Sequence, residues 1–239
     1  KLNGSRKFID DYNSKNQLHA QILYSTCHHG IIRKIDFPKG FDLDEFVIVS
    51  AKTIPGSNIV PEPEPDEPFF SGEQVQYFGQ PIMAIAHSNR NTVKQFIRNT
   101  EITYENLPAV TDIKECLADE ENVFGKTITI DHRTDEEENP EWMKHNKVYY
   151  LPHQEQAYLE TQGMIAEYNA DTETMFVRGT CQCPFFVKSG VEAIMGDAVK
   201  EVVVETSEGI GGAFGGKEDF PSLLAGITAL LSYESGKPV

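Results

Sequence analysis

Apolar and polar positions divide the chain into short elements. Leu18 to Tyr24 and Gly30 to Phe37 are patterned as strands, and Phe46-Val47-Ile48-Val49 is a brief apolar run. Gln80-Pro81 opens another run from Ile82 to Ala86. Asn91 to Thr100 sets Val93, Phe96 and Ile97 at i, i+3 and i+4, the spacing of one helical face, and Glu101 to Tyr104 then reads as a strand. Strands and a helix in this mixed order predict an α+β fold rather than a regular βαβ sheet.

The second half is patterned more sharply. Met164 to Tyr168 and Thr174 to Arg178 predict a hairpin around Asn169-Ala170-Asp171. Pro184 suits the first turn of a helix, where its missing N–H costs nothing. Val187, Val191 and Ile194 stripe that helix, and Gly196 is placed to stop it. Val199 to Thr206 is a β-branched strand. A glycine-rich turn leads from it into a long helix with Phe220, Leu223, Leu224, Ile227, Leu230 and Leu231 on one wide apolar face.

Composition narrows the class. A chain of 239 residues corresponds to one large domain or two small ones. It can bury roughly 70% of its unfolded surface, so no disulfide or metal staple is needed. No run approaches the ~18 apolar residues of a membrane helix. The net charge of -16 argues against nucleic acid, whose affinity rests on Lys and Arg, and against an anionic membrane surface. Half of that excess lies between Asp112 and Glu141, in runs such as Asp119-Glu120-Glu121 and Asp135-Glu136-Glu137-Glu138. Such runs predict a solvated connector between two halves. Pro61-Glu62-Pro63-Glu64-Pro65 predicts an extended exposed loop, since alternating prolines cannot donate to a ladder. Cys27, Cys116, Cys181 and Cys183 form no CxxC pair, and no basic segment followed by an apolar one opens the chain. The expectation is a reduced, cytoplasmic protein.

The densest chemical signal is Gly209 to Gly216, with five glycines in eight positions before a helix. Such a backbone can approach a ligand closely and aim N–H groups at an anion; the alternative is a tight turn for helix–strand packing. Gly211, Gly216 and Lys217 fit G-x-x-x-x-G-K, but Glu218 stands where a P-loop needs the Mg²⁺-binding Ser or Thr. Phe214 likewise breaks the dinucleotide fingerprint. The loop is built like a phosphate site without matching a nucleotide triphosphatase or a nicotinamide enzyme.

Gly212-Ala213-Phe214-Gly215-Gly216-Lys217-Glu218 resembles the GGxFGGKE loop of the xanthine dehydrogenase and aldehyde oxidase family, the molybdenum hydroxylases. Lys1 to Asp11 (KLNGSRKFIDD) resembles the opening of the family's molybdenum-binding part. Asp66 to Ser88 is similar to its V-x-Y-x-G-Q-P stretch, and Gln154 to Gln162 (QEQAYLETQ) to its Q-E-x-x-Y-L-E-T segment. Gly179 to Gly196 resembles its glutamine-bearing loop and the helix after it. The pieces stand in the family's order over nearly the whole chain.

The resemblance implies an α/β hammerhead domain over residues 1–120 and part of the first molybdopterin-binding domain over 121–239. It implies a cytoplasmic oxidoreductase that uses a molybdenum–molybdopterin cofactor to hydroxylate an electron-poor carbon, with water as the oxygen source. Electrons would leave through 2Fe-2S clusters, and usually FAD, on other domains or subunits of a dimeric enzyme. Gln182 matches the glutamine that hydrogen-bonds an oxygen ligand of molybdenum, and Phe214 and Gly215 match loop residues beside the metal and pterin. None of the three would ligate the metal directly. Glu218 matches a substrate-contacting carboxylate of purine-hydroxylating members, so the expected substrate is an N-heterocycle such as xanthine. The alternatives are an aldehyde oxidase-type member, or a non-catalytic anion-binding or assembly module. Residue by residue, Gln182 could be an ordinary loop amide, Phe214 core packing, and Glu218 an acid favoured by a helix N-terminus. The resemblance also implies that the catalytic base lies beyond Val239, so that this stretch alone would neither hold the cofactor tightly nor turn over.

Cys181 and Cys183 flank Gln182 and are expected to be inert. His28-His29 and His153 are expected to be exposed polar surface rather than metal ligands. Gln156 stands where family members often have His.

Overall fold

The computed structural model describes residues 4–118, 130 and 145–239. The chain forms two units, one of Lys1–Pro108 with Gln156–Val239 and the other of Ala109–Glu155. The acidic runs 119–121 and 135–138 lie outside the described residues.

In the larger unit, β1 (His19–Tyr24), β3 (Val47–Ser50) and β5 (Pro81–His87) form one antiparallel sheet in the order β1-β5-β3. β5 is buried at every position, as a central strand covered on both faces requires. From Met83 to Ala86 its side chains alternate between two cores. Ala84 and Ala86 join the larger one, while Met83 and Ile85 join the smaller. The smaller core is aromatic, with Phe46 stacked 4.4 Å from Phe96 and Phe41 meeting Phe96 edge-on at 5.5 Å.

Phe96 is delivered by α1 (Arg90–Arg98). Asn89 caps that helix by accepting the N–H groups of Asn91 and Thr92 at 2.9 and 3.2 Å. A second sheet pairs β2 (Gly30–Asp36) with the short β4 (Gln74–Val75) and with β6 (Glu101–Asn106), both antiparallel.

The third sheet positions the site. β7 (Met164–Asn169) and β8 (Thr174–Gly179) form the expected antiparallel hairpin. α3 (Pro184–Met195) begins at its proline, buries Val187, Val191 and Ile194, and ends at Gly196. The chain then returns as β9 (Glu201–Thr206), parallel to β8. β8–α3–β9 is therefore a single βαβ crossover inside a mixed fold, and the α+β class holds.

The long helix α4 (Phe220–Ser235) packs on β7 and α3. It buries Leu223, Ile227, Leu230 and Leu231 as the pattern predicts. Phe220 departs from the expectation at 41% exposure, because it occupies the first turn, ahead of the packed stretch. In the smaller unit, α2 (Ile113–Ala118) starts at Asp112, whose Oδ1 accepts the Lys114 N–H at 2.7 Å.

Candidate cofactor-binding site

Two loops meet at the end of the third sheet. One follows β8 and carries Thr180, Cys181 and Gln182 into α3. The other follows β9 and runs through the glycines into α4. They are joined by a reciprocal pair of bonds. The Gln182 N–H donates to the Lys217 carbonyl at 2.6 Å, and the Lys217 N–H donates to Gln182 Oε1 at 3.2 Å. A backbone N–H can only donate, so this contact settles the amide orientation: Oε1 faces Lys217 and Nε2 faces outward. Nε2 then lies 3.4 Å from Glu218 Oε1, and both side chains are exposed.

Between these anchors the glycine loop bows outward. Phe214 has φ +52 and is 76% exposed, which excludes a core-packing role. A left-handed φ on an aromatic residue is strained, and such strain persists only where surrounding bonds hold it. Ala157, in the segment beneath the loop, has φ +51. Two glycines have different reasons to be glycine. Gly215 has φ +86 with open space where a side chain would start. Gly216 instead lies so close to the 156–158 segment that a Cβ would stand 2.6 Å from Tyr158 Cε1. Among the described residues, the N–H groups of Gly212, Ala213, Phe214 and Gly215 meet no acceptor.

Beneath the loop is a buried polar cluster. Lys217, exposed at 0%, extends its ammonium away from solvent to Glu160 Oε2 at 3.1 Å and Thr180 Oγ1 at 2.9 Å, over the Tyr158 ring at 4.8 Å. Glu160 Oε2 also accepts from the Gly211 N–H at 2.7 Å and Thr180 Oγ1 at 2.8 Å, while Oε1 accepts the Ile9 N–H at 3.1 Å. Burial alone would raise the Glu160 carboxyl. The bonds from Gly211 and Ile9, then those from Thr180 and Lys217, outweigh it and hold the carboxyl below its ordinary value. Gln162 Nε2 donates to the Gly216 carbonyl at 2.8 Å, and its Oε1 is buried without a donor.

The structure thus brings Gln182, Phe214, Gly215 and Glu218 onto one exposed rim. Sequence reasoning gave no role to Glu160, Thr180, Gln162 or the Lys217 side chain. A signal was present, since Glu160 and Gln162 lie inside QEQAYLETQ, but nothing local says where those side chains go. The Lys217 ammonium is fully occupied underneath the loop.

The remaining candidates lie elsewhere. Cys181 is buried, and burial, with a smaller contribution from Cys183, pushes its thiol up to about 11. The four cysteines are free thiols. His29 Nδ1 lies 2.5 Å from the Pro108 carbonyl, and His28 is exposed with its ring against Phe78. Among the described residues, no three His, Cys, Asp or Glu cluster as metal ligands. Nor does any described helix have the length and apolarity to cross a membrane.

Comparison with known proteins decides the family. The model of the molybdopterin cofactor-binding domain matches residues 119–239. That of the aldehyde oxidase and xanthine dehydrogenase a/b hammerhead domain matches residues 3–108. The chain belongs to the molybdenum hydroxylase family. Xanthine dehydrogenase/oxidase of Mus musculus is 28% identical over 241 residues, covering 99% of this chain and 18% of the relative. Aldehyde oxidase 4 of Rattus norvegicus is 27% identical, with the same coverage of 99% and 18%. The chain therefore spans about a fifth of the length of these molybdenum hydroxylases. Quinoline 2-oxidoreductase from Pseudomonas putida 86 superposes with a TM-score of 0.69 at 21% identity, covering 100% of this chain and 32% of that one, a likeness of fold.

The site residues fit the family's cofactor in chemical type. The rim offers an outward amide N–H and four unpaired backbone N–H groups, all neutral donors suited to oxygen and anionic groups. Gly215 leaves the approach open. Gln182, Phe214 and Gly215, the residues expected to face that group, lie among these donors.

Proposed function

We propose that this chain supplies one wall of the cofactor and substrate pocket of a molybdenum hydroxylase acting on an N-heterocycle, a purine such as xanthine. Residues 1–120 are assigned to its hammerhead domain and 121–239 to its first molybdopterin-binding domain. The reading is carried by one juxtaposition: the outward Gln182 amide stands 3.4 Å from the Glu218 carboxylate, beside a loop of unpaired N–H groups.

When bound, the molybdenum cofactor supplies the redox chemistry of hydroxylation, with water as the oxygen source and electrons passing to 2Fe-2S and flavin domains or subunits. The chain's own residues bind and orient. Gln182 Nε2 donates to a cofactor oxygen, held in that orientation by Lys217. The N–H groups from Gly212 to Gly215 offset negative charge on the group they face. Glu218 accepts a ring N–H of the heterocycle, and its negative charge at the rim favours substrates that carry such donors. Nearly equal identity to xanthine and aldehyde enzymes favours neither substrate; Glu218 is what favours the heterocycle.

The experiment is molybdenum analysis of the intact protein together with turnover of xanthine and of an aromatic aldehyde. Bound molybdenum with preferential xanthine oxidation is the expected result. Bound molybdenum with aldehyde turnover alone refutes the substrate assignment, and absence of the metal refutes the whole reading.

A further inference from the structure

We propose that Glu160 and Lys217 are a buried positioning pair that staples both ends of the glycine loop and so sets the donors facing the cofactor. The inference rests on the reading of that loop as a cofactor wall. Its geometry stands without it.

A single carboxylate oxygen joins the two ends of the loop. Glu160 Oε2 accepts the N–H of Gly211, where the loop begins, and the ammonium of Lys217, where it ends. Between them, Gly212 to Gly215 are left with unpaired N–H groups, while the Gly216 N–H donates to the Ala213 carbonyl at 2.8 Å. Thr180 closes the figure, donating to the same oxygen while accepting from Lys217. The other oxygen holds Ile9 of the N-terminal segment. That segment also pairs with the approach to the loop, where the Gly209 N–H donates to the Lys7 carbonyl at 3.0 Å.

The consequence reaches Gln182 through the backbone. The Lys217 side chain fixes its residue from below, while its N–H and carbonyl clasp Gln182 from the side. The outward direction of Gln182 Nε2 therefore depends on where Glu160 holds Lys217. A buried ion pair is weak evidence of net stability, because desolvating two charges offsets most of their attraction; its best-attested use is to enforce a register. Here the register is that of a loop with few side chains of its own to hold it.

The test is hydrogen–deuterium exchange on the intact protein freed of cofactor, comparing wild type with Glu160→Gln, Lys217→Met and the double variant. The single variants should exchange at least tenfold faster at the hydrogen-bonded amides of the loop, those of Gly211, Gly216 and position 217, and at Gln182, with α3 unchanged within twofold. The double variant decides between positioning and charge neutrality. It carries no unpaired buried charge, so its melting temperature should recover toward wild type while the loop still exchanges at least tenfold faster. Wild-type protection of the loop in the double variant, loop exchange within twofold of wild type in both single variants, or an equal rise in α3 each overturns the proposal. Molybdenum content of the wild-type protein is read separately: its absence refutes the cofactor reading and leaves the exchange data to judge the pair.

Discussion

Lys217 and Gln182 clasp each other through two hydrogen bonds, with the lysine backbone serving as both donor and acceptor. One of these bonds anchors the glutamine backbone and the other orients its side chain. A residue whose own charge is buried thereby fixes a neutral donor that is exposed.

Removing that donor should cost catalysis and leave the fold intact. Gln182→Ala keeps the backbone bond to the Lys217 carbonyl and loses both Nε2 and the Oε1 that accepts the Lys217 N–H. A single hydrogen bond to a charged or developing-charge oxygen contributes about 1.5–3 kcal/mol, so turnover should fall roughly 10- to 100-fold. Steady-state kinetics of the intact enzyme check this, and unchanged kinetics would make Gln182 an ordinary loop amide.

Substrate choice should follow Glu218. A site built to bond a ring N–H discriminates strongly against substrates lacking it, whereas an apolar pocket does not. Glu218→Val should lower kcat/KM for a purine by about 100-fold and for an aromatic aldehyde by less than about fivefold. Equal losses on both substrates would remove the specificity role and leave an acid at the start of a helix.

The two loop glycines should fail for different reasons. Gly216→Ala drives a methyl to 2.6 Å from Tyr158 Cε1, an overpacking fault of about 1–3 kcal/mol. Gly215→Ala meets no atom but forces a left-handed φ on alanine, a backbone cost of about 1–2 kcal/mol. Urea unfolding measures both. Pairing each with Tyr158→Ala separates them, since only the Gly216→Ala loss should be relieved.

Acid stability should depend on Glu160. Its carboxyl is depressed in the folded state, so its contribution is complete above the ordinary value of 4.5 and is lost as pH falls below that through the lower folded value. Urea unfolding followed from pH about 5 down to about 3 should therefore lose stability more steeply in wild type than in Glu160→Gln. Parallel slopes would show that the folded and unfolded carboxyls titrate alike.

Cys181 has the opposite sign. Its thiol is raised from 9.0 to about 11, so its contribution is complete below 9.0 and is lost as pH climbs toward about 11. At a pH of about 8 the buried thiol should resist iodoacetamide in the native protein and react once unfolded. Mass spectrometry of the labelled peptide reads the outcome. Rapid native labelling would contradict its burial.

Local pattern carried much of the fold. The residues of β5, α1, the β7–β8 hairpin, α3 and α4 declare themselves because periodicity, a proline at a first turn and a glycine at a stop act within a few residues. The glycine loop was legible for the same reason: its density of glycine and its place before a helix are properties of the sequence alone. The motif order also identified the family and nominated Gln182, Phe214, Gly215 and Glu218.

Only the tertiary structure decided what those residues do to one another. The parallel pairing of β8 with β9 depends on the route of α3 between them, and nothing in either strand states it. Lys217 follows two glycines, and nothing adjacent in the sequence marks its side chain as buried. Its burial requires Glu160, 57 positions earlier, with Thr180 and Tyr158 around the same point. The direction of the Gln182 amide likewise depends on a backbone N–H 35 residues away. A sequence specifies which groups can donate and accept, but partners distant along the chain are chosen by packing, which brings a few of them within 3 Å in a place that water cannot reach.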